Sequence, residues 1–95
     1  MTTPADQANE NSKREWRELG PTQQAGIRCK EPVFWAWLRE QGYAVADEES
    51  AADLVRELCC VLTRSDLSKP GFDGPRVIWF DIDTKFQAWR ARENA

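Results

Sequence analysis

The segment from residue 48 to residue 62 carries the strongest helical pattern in the chain. Its apolar residues recur at steps of three and four, and they are Ala51, Leu54, Val55, Leu58 and Leu62. This spacing places them on one face of an α-helix, and Asp47, directly before it, is a strong N-cap. Cys59 lies at the edge of that face and Cys60 on the opposite one, so we predict an amphipathic helix with Cys60 exposed or nearly so.

Proline and glycine divide the first half of the chain into shorter helices. The Gly20-Pro21 pair separates a short helix over 12–19 from a second one over 22–30. Pro32 disfavours helical geometry in the residue before it, so it begins a new helix that runs to the next glycine. The residues that share the core face of this helix are Val33, Phe34, Trp37 and Leu38.

The last helix is predicted to begin at Pro75, after a loop over 69–75 that is dense in helix-breaking residues. The run over 76–80 is also rich in residues that favour strands. No second convincing strand is present to pair with it, so a helix is favoured. The residues on its core face are Ile78, Ile82, Phe86 and Trp89, with Trp79 at the margin.

Between these helices, residues 63–67 are predicted to form a turn and a short helical segment capped by Ser65. Together with the preceding helix, this segment has the outline of a helix-turn-helix. A DNA-reading unit would continue its second helix with basic and amide side chains. Here the segment stops at Pro70, which favours a structural corner between helices.

The fold class predicted from these elements is all-α, a small compact helical bundle. Three longer helices begin at Pro32, Asp47 and Pro75, with short helices before and between them. A chain of 95 residues allows one small domain, which we place at 12–95. Residues 1–11 contain no large apolar residue apart from Met1, so they are predicted to form a disordered N-terminal tail.

Composition excludes several classes of function. The chain has no His and three Cys, so it cannot form a Ser-His-Asp or Cys-His catalytic device, nor a full ligand set for structural zinc. The carboxylate pairs Asp81/Asp83 and Asp53/Glu57 are assigned to solvated faces. We therefore predict that the protein is not an enzyme, with no catalytic residue, metal or cofactor.

The same composition bears on location and partners. No apolar run approaches the ~18–20 residues of a membrane span, and no signal-peptide pattern opens the chain, so no membrane association is expected. An odd number of cysteines, two of them adjacent, is typical of free thiols in a cytoplasmic protein. A net charge of -3 with mixed signs makes a nucleic-acid partner less expected than a protein.

The surplus of aromatic residues is the feature that bears most on function. The chain has 5 Trp and 4 Phe, and Trp35, Val77 and Phe80 fall off the predicted core faces. Exposed aromatic residues beside arginine are typical of protein–protein contacts. We therefore predict a partner-binding surface of these residues together with Arg39 and Arg76. The alternative is that Trp35 and Phe80 pack against the tail or a connecting loop.

Several short segments resemble small uncharacterised proteins of bacteriophages and prophages, over about residues 20–90. The segments are Ala25–Lys30, Phe34–Leu38, Val55–Cys59, Arg64–Leu67 and Phe86–Trp89. In these proteins Gly often stands where this chain has Cys60, which implies a less tight turn here after the helix.

The resemblance implies a phage-encoded accessory role in the bacterial host cytoplasm, and it assigns no activity to individual residues. We expect a non-enzymatic protein that binds host or phage machinery, such as an inhibitor of host defence or an adaptor. The alternative is a nucleic-acid-associated helper of phage recombination or replication. The oligomeric state is left open.

Overall fold

A computed structural model describes residue 16 and residues 18–93, and within them it contains helices and no strand. The fold is all-α, as the sequence predicts. The predicted tail over 1–11 lies outside the described residues. The helices are α1 (Pro21–Cys29), α2 (Pro32–Glu40), α3 (Glu48–Cys59) and α4 (Asp73–Glu93), with a short 3-10 helix, Arg64–Ser68, between α3 and α4.

Local signals fix where the helices begin. Pro21 and Pro32 occupy the first turns of α1 and α2, where proline lacks only a backbone N–H that would have no helical partner. Asp47 caps α3: its Oδ1 accepts from the backbone N–H of Ser50 at 2.8 Å, and the Ser50 hydroxyl oxygen accepts from the Asp47 backbone. The bond from the Ser50 backbone and a second one, from the Ser50 hydroxyl to Oδ1, stabilise the ionised carboxyl and lower the pKa of Asp47.

Two predicted details of the α3 end and the 3-10 helix are wrong. The 3-10 helix is capped by Thr63 rather than Ser65, and the backbone N–H of Thr63 donates to Asp66 Oδ2 at 3.3 Å. The turn after α3 is not loosened by the absence of glycine, because Cys60 itself adopts the left-handed conformation, with φ of 60°. The chain therefore makes the tight helix end that usually uses glycine.

The relative lengths of the helices also differ from prediction. α4 is the longest at 21 residues and α3 has 12, but α2 has 9 residues, no more than α1. α4 packs against every other element of the fold. The bundle is therefore organised around one long helix with shorter helices gathered along it.

The centre of the core is aromatic. Phe34 and Phe86 meet edge to face with ring centroids 5.1 Å apart, and Trp37 lies 5.7 Å from Phe86. Trp79 is fully buried against Phe34. The predicted core face of α2 is confirmed for its buried residues Phe34, Trp37 and Leu38.

The predicted core face of α3 is confirmed for Ala51 and Val55 and is wrong for its three leucines. The residues it buries are Ala51, Ala52, Val55 and Cys59. Leu54 and Leu58 are only half-buried, and Leu62 lies beyond the helix end with 90% of its surface exposed. Small side chains on the buried face allow α3 to pack closely on α1, and the left-handed Cys60 turns the chain away before Leu62 can join that face.

The core face of α4 is rotated as well. Trp79, predicted at the margin, is buried completely, whereas Ile78 is 38% exposed. Ile82 and Phe86 are buried as predicted. Across residues 16 and 18–93, no helix combines the length and the hydrophobicity that a membrane span requires.

Candidate functional site

Trp35, the first of the predicted partner-binding residues, is half-buried at the corner between α1 and α2. Its indole Nε1 donates to the backbone carbonyl of Cys29 at 2.7 Å. That carbonyl lies at the C-terminus of α1, where the helix leaves such groups without helical partners. The structure therefore gives Trp35 a hydrogen bond that joins α2 to the C-terminal end of α1.

The two arginines of the predicted partner-binding surface also donate hydrogen bonds to backbone carbonyls of the protein itself. Arg39 is exposed, and its Nη1 donates to the carbonyl of Val45 at 2.7 Å. Arg76 is half-buried, and its Nη1 donates to the carbonyl of Lys69 at 2.8 Å, while Nη2 forms an ion pair with Asp73. Each guanidinium thus ties a helix to a neighbouring loop.

Val77 and Phe80 are the two predicted residues with large exposed apolar surfaces. Val77 is 67% exposed and Phe80 is 45% exposed. They lie three residues apart and are therefore neighbours on the surface of α4. This pair belongs to α4, whereas Trp35 and Arg39 belong to α2.

A groove that sequence reasoning missed lies between α2, α3 and α4. It has a volume of about 310 Å³, and its principal lining residues are Leu38, Tyr43, Leu58, Ile78, Asp81 and Lys85. Tyr43 and Ile78 are 39% and 38% exposed, so both present apolar surface at the opening of the groove. The Asp81 Oδ2 and Lys85 Nζ atoms lie 2.9 Å apart in an exposed ion pair at its rim.

The sequence does not predict the groove, because the residues that line it also fit core positions in the helical pattern. Leu58 and Ile78 each fall on an apolar helical stripe, and that position predicts burial in the core. One sequence signal does point to such a groove. The chain has more large apolar residues than its short helices have core positions in which to bury them.

A buried polar cluster joins α1 to α4. Asp83 is 5% exposed, so its assignment to a solvated face is wrong. Arg28 Nε donates to its Oδ1 at 2.7 Å, while Gln87 Nε2 and Trp16 Nε1 donate to its Oδ2 at 2.6 Å and 3.2 Å. The Arg28 guanidinium also lies 3.9 Å from the centre of the Trp16 ring and 4.9 Å from that of Phe86.

This cluster is structural in its chemistry. Both oxygens of Asp83 accept hydrogen bonds from side chains of the protein itself. Trp79 Nε1 donates nearby to Gln24 Oε1 at 3.1 Å, so a buried indole and a buried amide satisfy each other. Buried polar groups arranged in this way specify packing.

The thiols divide into buried and exposed groups. Cys29 and Cys59 are fully buried, and burial raises the pKa of both, that of Cys59 to about 11. Cys60 is exposed, as predicted. Among the described residues, no cluster of His, Cys, Asp and Glu side chains is suited to hold a metal ion.

Charges on the described surface are mixed in sign. Cations pair with acids three or four residues away along the same segment; these pairs are Arg28–Glu31, Arg56–Asp53, Lys69–Asp66, Arg76–Asp73 and Lys85–Asp81. The pKa of Asp66 is lowered, and the largest cause is the hydrogen bond that its carboxylate accepts from Lys69. Such pairing neutralises basic side chains that a nucleic-acid surface would need free.

Comparison with protein-family models, with curated proteins and with solved structures finds no match to this chain. The geometry of two surfaces therefore bears on function. One is the groove beside Tyr43, Leu58 and Ile78, and the other is the side of α4 that carries Val77 and Phe80.

Proposed function

We propose that the protein is non-enzymatic and acts by binding another protein, whose apolar side chains enter the groove between α2, α3 and α4. The observation that carries this proposal is the gathering of Tyr43, Leu58 and Ile78 at one opening. Aromatic and aliphatic side chains surrounded by a polar rim are typical of the centre of a protein–protein interface.

The groove has the composition of an interface centre with a polar rim. Its floor is formed by side chains of the core, so a partner side chain that enters it loses part of its contact with water. Burying a Leu- or Phe-sized side chain contributes about 1.5–3 kcal/mol. The Asp81–Lys85 pair at the rim offers both a donor and an acceptor for orienting the partner.

The biological setting that we propose is a bacteriophage accessory role in the cytoplasm of the bacterial host. The partner would be host defence machinery that the protein inhibits, or machinery that it links as an adaptor. The resemblance to small phage proteins supports this setting. Its Phe34–Leu38 and Val55–Cys59 segments contribute Leu38 and Leu58 to the groove.

Single substitutions with a matched control test the binding surface. Ile78→Asp places a charge in the groove, whereas Leu62→Asp places the same charge on an exposed leucine outside the groove lining. A partner captured by the unmodified chain should be retained by the Leu62→Asp variant. The Ile78→Asp variant should bind it at least ~10-fold more weakly, because hot-spot losses reach ~2 kcal/mol or more.

Controls separate the outcomes of that experiment. Both variants should unfold at similar denaturant concentrations, which shows that a binding loss is local. Equal binding by both variants would overturn the groove as the partner surface. Retention on DNA that weakens steeply with salt would instead favour a nucleic-acid role in phage recombination or replication.

A further inference from the structure

The side of α4 that faces away from the core carries a continuous uncharged stripe. Its members recur at steps of three and four and are all exposed; we call them the outer stripe, and they are Val77, Phe80, Thr84, Ala88 and Ala91. At 1.5 Å per residue the stripe is about 21 Å long. This spacing is that of a helix that meets another helix along its length.

The outer stripe is graded in size. Its N-terminal end carries the large residues Val77 and Phe80, and its C-terminal end carries Ala88 and Ala91. A second helix that fits it must be small where the stripe is large and large where the stripe is small. The stripe itself has that shape when its direction is reversed.

We propose that the outer stripe pairs antiparallel with the outer stripe of a second copy of this chain. A two-fold axis at Thr84 sets Phe80 against Ala88 of the other copy. The same axis sets Val77 against Ala91 of the other copy. Facing large and small side chains in this way fills a helix interface without voids, and a self-complementary patch is the requirement for a two-fold dimer.

The charges beside the stripe fit the same arrangement. Asp81 and Lys85 lie along one flank, and the antiparallel axis brings Asp81 of each copy beside Lys85 of the other. Their side chains are 59% and 68% exposed, so they can exchange their present pairing within the helix for one between copies. The cations of the opposite flank are directed at the protein's own acids: Arg76 at Asp73, and Arg90 toward Glu31 at 4.0 Å.

A second copy suits the stripe better than the N-terminal segment of the same chain does. Residues 1–15 offer no large apolar residue apart from Met1, so they cannot supply side chains to cover Val77 and Phe80. A parallel pair of copies would set Phe80 against Phe80 and Ala88 against Ala88, which leaves a gap at one end of the interface.

The dimer should be weak. One helix face on each side buries less than the ~1,200 Å² at which stable interfaces begin, so association should be reversible and should depend on concentration. This dimer goes beyond the proposed function; the groove lies on the neighbouring side of α4, and the Asp81–Lys85 pair stands between the groove and the outer stripe.

Sedimentation over a range of protein concentrations measures the proposed association. Phe80→Glu and Ala88→Glu should each raise the dimer dissociation constant at least ~10-fold, since each places a carboxylate in the apolar contact. Leu62→Glu, which adds the same charge at an exposed leucine elsewhere, should leave it unchanged. A chain that stays monomeric at millimolar concentration, or a dimer that both stripe variants leave intact, would overturn the proposal.

Disulfide trapping determines the direction of pairing. In a Cys60→Ser background, Thr84→Cys should form a covalent dimer under mild oxidation, because the two positions meet at the axis. A mixture of Val77→Cys and Ala91→Cys chains should crosslink to each other more than either does to itself. Preferred crosslinking of Val77→Cys to itself would show a parallel pair and contradict the proposal. The groove variant Ile78→Asp should dimerise normally, which distinguishes failure of this proposal from failure of the proposed function.

Discussion

The inner and outer sides of α4 carry the same kinds of residue, but those on the inner side are buried and those on the outer side are exposed. Phe86 on the inner side is fully buried, whereas Phe80 on the outer side is 45% exposed. Asp83 is buried on the inner side and Asp81 lies exposed on its other flank. The difference comes from what the other helices bring to each side, because α4 alone offers apolar surface in both directions.

The first prediction contrasts the two phenylalanines. Phe86→Ala should destabilise the protein by about 3–5 kcal/mol, because it leaves a cavity among Phe34, Trp37 and Trp89. Phe80→Ala should cost far less in a dilute, monomeric sample, since much of that ring is already in water. Urea unfolding of both variants measures the difference.

Two outcomes of these unfolding measurements would contradict the first prediction. If Phe80→Ala destabilises the dilute protein as much as Phe86→Ala does, the outer side of α4 belongs to the core of the single chain. The outer stripe would then be unavailable for pairing. Normal stability of Phe86→Ala would show instead that α4 has a different rotation.

The second prediction contrasts the two aspartates. Asp83→Ala should cost about 3 kcal/mol, the low end of the range for a broken buried pair, because it leaves the buried Arg28 guanidinium with Glu31 as its remaining acid partner. Asp81→Ala on the exposed side should change stability by no more than ~0.5 kcal/mol. Thermal or urea unfolding at neutral pH gives both values.

A double variant sharpens this second comparison. Replacing both members, Arg28→Met with Asp83→Leu, removes the unpaired charge and should recover much of the stability that Asp83→Ala loses. If the double variant is less stable than Asp83→Ala alone, the stacking of Arg28 between Trp16 and Phe86 contributes more than its ion pair does.

The third prediction concerns the border between the two sides, where the groove lies. The sequence places Leu58 in mid-core and predicts a loss of about 2–5 kcal/mol for Leu58→Ala. The structure leaves Leu58 half-buried, so we expect about 1–2 kcal/mol, the fraction of a full cavity loss that its burial allows. Leu38→Ala, at a leucine only 1% exposed, is the matched control and should fall within the full range. Equal losses in the two leucine variants would show that Leu58 is as buried as Leu38 and would contradict the presence of a groove beside it.

The sequence predicts the fold class and most helix starts because those signals are local. Pro21, Pro32 and Asp47 act on the backbone within a few residues of themselves, so their effect can be read without knowing the fold. The rotation of α3 and α4 could not be predicted in the same way. Leu58 and Cys59 both fit an apolar stripe, and only the close approach of α1 selects the smaller residue for burial.

The candidate site illustrates the same limit. Exposure of Val77 and Phe80 follows from the helical pattern, and the structure agrees with it. The internal hydrogen bond of Trp35 to Cys29 and the burial of Asp83 depend on partners elsewhere in the fold. The groove depends on the relative placement of α2, α3 and α4, which no single stretch of sequence encodes.

The polar cluster at Asp83 has a consequence for the order in which the chain can fold during synthesis. Trp16 and Arg28 meet Asp83 across sequence separations of 67 and 55 residues. Helical domains usually form through local contacts and fold fast for that reason. Here α1 and α2 leave the ribosome with the Arg28 charge and the Phe34 ring still uncovered, and neither is buried until α4 has been made. The polar cluster and the aromatic core therefore share one requirement, which is that neither can close before α4 is available.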